Sequence, residues 1–453
     1  MTDYSSLQDL FLRLLTALFT TRPTFAEPTS SNGTSGTKFV KGELERRGTF
    51  PGAIERSDDV VAILASVVPN LPKILLEPDR VLSAAGTIST NVIGPTFRSK
   101  TFPDSVSSST LKLLYELSRL PNNQKTWKKD VGDAFNDSKF FAMNLALIQN
   151  DWLPLLRQWT LADKEKIPEI VGRISAPTTA GIVFGVGATS ARLEADRKTQ
   201  LNLRRIATLI LASADDAFVT DIPVIFDKIV ELFGATSTSS PSSTTRSEVY
   251  MVIRALVLKV SPIHLARLWP VVNAEIHSAI SSIVAPDHST ASEIYVCSAI
   301  LQACKLLDLL ICVAPDDFQL HEWLFVTDTI EAVYRSATYQ PVALVDEISE
   351  ELGATSAQLA AVTSHDDAMT AAQMATSNNG SRRLPLLGIG GIGDDGIFER
   401  KDELVAKVLR PFFGQLSIFA FESTYAMGAL DRETCVEALL KDIFDDRSMV
   451  KAL

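Results

Sequence analysis

The residues best suited to chemistry in this sequence are cations on one helix. The stretch ARLEADRKTQLNLRRIATLILA runs from Ala191 to Ala212. At 100° per residue, Arg197, Lys198, Arg204 and Arg205 fall within about one-third of the helix circumference. Arg192 opens the same helix, and Leu203, Ile206, Ala207 and Ile210 lie opposite. Such a stripe could bind an anionic lipid headgroup or an acidic partner. Each basic residue held near an anionic surface contributes on the order of 1 kcal/mol, so four give roughly 4 kcal/mol. Leu201 sits inside the cationic sector, which an idle solvated face would not need. The competing reading has these arginines bridging to carboxylates of the next helix.

Other chemistry finds less support. The five histidines, His264, His277, His288, His321 and His365, form no zinc-protease pattern and flank no nucleophile motif. No catalytic or metal-binding set emerges, and no cofactor is implied. GIGGIG, from Gly388 to Gly393, matches a dinucleotide fingerprint in form only. No strand precedes it, and Asp394 and Asp395 would repel a pyrophosphate. GVGATS, from Gly185 to Ser190, reads as a tight turn feeding a helix. Cys297, Cys304 and Cys312 recur at spacings that place them near one helical face; with Cys435 they read as buried, reduced thiols. A formal net charge of −11 argues against a general nucleic-acid binder.

Helices must position whatever site exists, because helical periodicity dominates and no credible strand is found. LQDLFLRLLTALF lacks the basic start of a signal peptide and repeats its apolar residues as an amphipathic helix does, over residues 1–20. No run reaches the roughly 18 apolar residues of a membrane span. A flexible linker is expected at 21–56, a helical array at 57–233, a low-complexity loop at 234–248, a second half of the array at 249–351, an irregular segment at 352–397 and closing helices at 398–453. Short polar connections between apolar-faced helices fit an all-α fold: an α-solenoid-like array of antiparallel pairs, as in HEAT or armadillo repeats, with a globular helical bundle as the alternative. In MVIRALVLKVSPIHLARLWPVVNAEIHSAI, Ser261 is expected to cap a helix that Pro270 then kinks. Trp269 reads as core. The closing apolar residues Leu404, Leu409, Phe412, Phe413, Leu416, Phe419 and Phe421 either cap the core or offer a homodimer face.

Three segments carry a resemblance. RALVLKVSPIHLARLWP (Arg254 to Pro270), TLKLLYELSRLPNNQKTWKKDVGDAFNDSKFF (Thr110 to Phe141) and QACKLLDLLICVAPDDFQLHEWLF (Gln302 to Phe325) resemble, in order, parts of the C-terminal region of the Dopey family. The resemblance covers most of residues 57–430. It implies a C-terminal piece of a much longer, non-enzymatic scaffold, peripheral on Golgi, trans-Golgi network and endosome membranes. It also implies partners: a large Golgi scaffold related to the Arf exchange factors, a type-IV P-type ATPase that flips phospholipids, and phosphatidylinositol 4-phosphate. No lipid-contact residue transfers from the family, so the cationic helix rests on its own pattern.

Overall fold

A computed structural model describes residues 2–21, 57–123, 125–174, 188–234, 243–285, 294–326, 343–353, 382–394, 396–425 and 428–450. All but the first residue of the linker expected at 21–56, and most of the irregular segment expected at 352–397, lie outside them. The chain divides into two compact units, Met1–Ala162 and Asp163–Leu453. Helix dominates both. The described strands are a two-residue parallel pair, β1 (Arg382–Arg383) and β2 (Ala429–Leu430).

The first unit holds α1 (Thr2–Thr21), α2 (Ser57–Val67), α3 (Pro78–Ile88), α4 (Ser108–Arg119), α5 (Lys125–Asn136) and α6 (Leu153–Ala162). The sequence suggests one helix across 71–87. The chain instead breaks at Glu77, because Pro78 can only start a helix. Ser107 caps α4, its hydroxyl accepting from Thr110 N–H at 3.3 Å. An aromatic cluster forms the core: Trp152 stacks on Phe97 with ring centres 5.8 Å apart and meets Phe140 edge-on at 5.0 Å. Lys128, one of a trio with Lys125 and Lys129, donates to the carbonyl of Ala162 at 2.7 Å.

The second unit is built from α7 (Lys166–Gly172), α8 (Ala188–Ala212), α9 (Ile222–Phe233), α10 (Ser243–Lys259), α11 (Trp269–Ser281), α12 (Cys297–Val313), α13 (Leu344–Glu351), α14 (Arg410–Tyr425) and α15 (Arg432–Ile443). Contacts between neighbours fix their directions. Arg204 of α8 meets Glu248 near the start of α10, while Asp216 after α8 meets Lys259 and Ser261 at the end of α10. Ser247 of α10 meets Ser298 of α12, and Arg254 meets Gln302. Early residues pair with early and late with late, so α8, α10 and α12 run parallel in one layer. α9 and α11 must then return antiparallel, and α13 packs on both α11 and α14. From α8 to α13 chain order follows spatial order, as in a repeat-like array of helix pairs, whereas α15 folds back onto α8 and α10.

Three expectations change. The polar stretch at 234–248 is not loop throughout, because α10 begins at Ser243 and Thr245 to Glu248 are buried. The division of the chain does not fall there either. Arg246 of α10 donates to the carbonyl of Phe233, the last residue of α9, which closes the two helices into one pair. Ser261 caps nothing: its hydroxyl and N–H both bond the Asp216 carboxylate at 2.5 and 2.7 Å. Two short 3₁₀ turns follow, and α11 starts at Trp269 with Pro270 in its first turn, where a missing N–H leaves no bond broken. Trp269 is core, as expected. Of the closing apolar residues, Leu404, Leu409, Phe412, Phe413 and Leu416 are buried inside the unit and Phe419 is half-buried, while the side chain of Phe421 lies outside the described residues.

Candidate functional site

The cations of α8 are not a surface stripe. From Thr199 to Ala212 every residue of this helix is buried, because α8 is covered by α7, α10 and α15 together. The amphipathic reading assumed a single covered face. Arg204 is wholly buried, and all five of its N–H donors are used. Its Nε and Nη2 donate to Glu248 Oε1 at 3.2 and 2.9 Å, Nη1 to the carbonyls of Ile443 and Asp445 at 2.5 and 2.9 Å, and Nη2 to Ser448 Oγ at 2.6 Å. Arg205 is buried beside Asn202, whose Oδ1 accepts at 2.9 Å. Arg192 and Arg197 are half-buried. Of the five candidates only Lys198 is exposed, at 68%, and it pairs with Glu194 on the same helix. The expectation of one exposed cationic face is therefore corrected. The rival reading, arginines bridging to carboxylates of the next helix, describes Arg204.

What the structure brings together instead is a charged inner face shared by α8, α10 and α12. Polar residues supply it: Gln200 and Arg204, four apart on α8; Gln302, Lys305 and Asp308, each three apart on α12; and Glu248 and Arg254 of α10, six apart. Segments 382–394 and 429–450 lie across it. Arg254 Nη1 donates to Gln302 at 2.8 Å and to Asp442 Oδ2 at 2.5 Å. Lys305 Nζ reaches Asp442 Oδ1 at 2.6 Å and also pairs with Asp394. Asp308 accepts the backbone N–H groups of Leu386 and Leu387 at 3.1 and 2.8 Å. Gln200 Oε1 accepts from the N–H of Val450 at 2.9 Å. A signal for this face was present in the sequence. Lys305 and Asp308 interrupt the apolar run CSAILQACKLLDLLICV, and a buried helix keeps such residues only when partners cross over it.

The glycine loop serves the same seam. Leu387 and Ile392 form an isolated bridge, and a side chain at Gly390 would strike the Pro385 carbonyl. The tight turn sets Asp394 against Lys305 rather than cradling a phosphate. A cavity beneath it, bordered by Arg254, Lys305, Asp308 and Cys435, leaves about 10 Å³ for the centre of a water molecule. That is room for one water, not a substrate.

Electrostatics follow from burial. Burial raises the Asp442 carboxyl, but Lys305 and Arg254 outweigh it and hold the group down at about 2. Asp308 is pushed up to about 7 by burial, against the two backbone N–H groups that favour its ionised form. Glu248 is raised by burial despite Arg204. Burial also lifts the Cys435 thiol to about 12, and Cys304 and Cys312 are raised as well, so none is a ready nucleophile. Among the described residues, no three of His, Cys, Asp and Glu converge as a metal site. The arrangement acts as an electrostatic clamp.

Asp308 makes the clamp pH-dependent. Its folded value lies above the unfolded one, so between about pH 4 and pH 7 the folded state holds a proton that the unfolded chain lacks. Its contribution is fully present below about pH 4 and is lost as pH rises through about 7, on the order of 4 kcal/mol in total. Stability from urea titrations is expected to fall from about pH 5 to about pH 8. Asp308→Asn flattens that slope. An unchanged slope in the variant would assign the titration elsewhere, with Glu248 the first alternative.

Comparison with known proteins places these residues. A family described as DOP1 C-terminal matches residues 5–426. The protein dop1 of Emericella nidulans is 44% identical over 98% of this chain, which covers 23% of that protein. The protein DOP1 of Saccharomyces cerevisiae is 28% identical over 81% of this chain and 20% of its own length. The protein DOP1B of Xenopus laevis is 24% identical over 60% of this chain and 12% of its own length. The chain thus spans a quarter or less of these relatives. No solved structure matches it.

Proposed function

Because this chain belongs to the Dopey family, we propose that it is a non-enzymatic scaffold segment of Golgi and endosomal membrane trafficking that docks protein partners. The observation that carries the reading is the array of α8 to α14. Stacked helix pairs present long, continuous surfaces to partners while their interior is spent on packing. The partners proposed are the large Golgi scaffold related to Arf exchange factors and the phospholipid-flipping P-type ATPase. The proposed location is the cytoplasmic surface of Golgi, trans-Golgi network and endosome membranes. No described helix is long and apolar enough to cross a membrane, so attachment through partners suits the fold.

Recognition of phosphatidylinositol 4-phosphate is the alternative, and α8 does not favour it. Arg204 and Arg205 are inside the fold, and one exposed Lys198 supplies about 1 kcal/mol against an anionic surface. The protein-docking reading is therefore preferred. Its test is affinity purification of the tagged chain from detergent-solubilised Golgi membranes, with targeted mass spectrometry for the two named partners. Recovery of either in near-stoichiometric amount is expected. Recovery of neither, from a folded chain, overturns the reading.

A further inference from the structure

We propose that the double turn 314–326, with the turn 262–268 beside it, is a docking surface for a basic, amphipathic helix of a partner protein. The inference rests on the scaffold reading above and deepens it by naming the kind of partner. α12 ends at Val313, because Ala314 takes a left-handed conformation, with φ 47°, and turns the chain. A helical turn at Asp316–Gln319 and a 3₁₀ turn at Glu322–Leu324 follow. Phe318 stacks on Phe325 with ring centres 6.1 Å apart and meets Trp269, the first residue of α11, at 6.0 Å. All three rings are buried, and they fix the inner side of the double turn to the array.

The outer side is apolar and open. Leu320 is 71% exposed and Trp323 61%. The indole N–H of Trp323 donates to the Leu320 carbonyl at 3.1 Å, which ties the ring to the turn. The neighbouring turn adds Ile263, 78% exposed. Large apolar side chains held outward on an anchored base mark a protein interface, and tryptophan leads the residue types that carry binding energy there.

Charge selects the partner. Residues 314–326 carry Asp316, Asp317 and Glu322 and no lysine or arginine, and Arg267 of the neighbouring turn offsets one of these three. Glu322 is half-buried, and burial raises its carboxyl with no cation among the described residues to pair with it. An arginine brought to this surface finds a carboxylate to pair with and an indole to stack on. Anionic lipid is repelled by the same carboxylates. A second copy of the chain, at a net charge of −11, is repelled as a whole. A helix with leucines on one face and arginines beside them matches both the apolar and the acidic parts of the surface.

Tryptophan fluorescence reads the site, because Trp323 is exposed while Trp127, Trp152, Trp159 and Trp269 are buried. The probe is a synthetic helical peptide of leucine, alanine and arginine, with a twin in which glutamate replaces every arginine. Both are titrated against the whole chain with acrylamide as quencher. The arginine peptide is expected to shield Trp323 and to bind at least about tenfold more tightly than its twin. Ile263→Ser with Leu320→Ser removes exposed side chains only, so the melting temperature should hold while binding weakens at least about tenfold. Glu322→Gln should weaken it at least about threefold. The proposal is overturned if the arginine peptide leaves Trp323 open to acrylamide, if the glutamate twin shields it equally, or if the double variant binds as tightly as the wild-type chain. Shielding by neutral phosphatidylcholine vesicles in place of the peptide would assign the surface to a membrane. Shielding in the free chain that dilution relieves would assign it to a second copy. Either result also overturns the proposal. The assay contains no Golgi protein, so its failure leaves the scaffold reading standing.

Discussion

Arg204→Ala is expected to lower the stability of this chain by about 3–5 kcal/mol, the usual cost of removing one member of a buried ion pair. The reason lies in what remains. Glu248 is 1% exposed and its side-chain partners are Gln200 and Arg204, both on α8. The carbonyls of Ile443 and Asp445 and the Ser448 hydroxyl lose their donor as well. Arg204→Ala with Glu248→Ala should be less damaging than the sum of the single changes, because the unpaired charge is gone. An exposed lipid-binding arginine would behave differently, with a change within about 0.5 kcal/mol on replacement. Chemical denaturation of the two single variants and the double variant reads the difference directly.

The error about α8 has a physical source. Periodicity identified the helix and its apolar positions, and Leu203, Ile206, Ala207 and Ile210 are all buried as expected. Periodicity cannot say how many neighbours a helix has. Leu201, lying among the cations, was the clue that a second face was covered. The coverer, α15, sits more than two hundred residues downstream, and no local pattern announces that contact. Elements set by local rules were legible: α4, α6 and α15 lie within two residues of the bounds the pattern suggests, 108–120, 151–161 and 431–445, while the expected helix 398–428 is split into 401–404, a π-helical turn at 405–409 and α14; the all-α array follows from short connections between apolar helices. Pro78 and Pro270 shifted helix starts, because a proline that resembles a kink in sequence can equally open a helix.

Trp152→Ala should produce the largest loss in the first unit, about 3–5 kcal/mol. Trp152 is fully buried between Phe97 and Phe140, and truncation leaves a cavity in the aromatic cluster that rigid neighbours cannot fill. Trp152→Phe separates volume from polarity. The indole N–H has no hydrogen-bond partner in this core, so Phe removes an unsatisfied donor while giving up part of the ring. Those effects oppose each other, and the net change should stay below about 1.5 kcal/mol. Thermal unfolding of both variants checks the pair. Equal losses would mean that the indole N–H is satisfied, by a bound water for example.

The conspicuous arginines, Arg204 and Arg205 of α8 and Arg246 of α10, are buried within the helix array and are not a binding surface. Arginine modification with phenylglyoxal on the native chain, mapped by peptide mass spectrometry, tests it most directly. Arg267, Arg400 and Arg447 are exposed and should react to completion. Arg204, Arg205 and Arg246 are buried and should remain unmodified over the same time, then react once the chain is unfolded. Modification of Arg204 and Arg205 in the folded protein at the rate of Arg267 would contradict the account and restore the cationic face of α8.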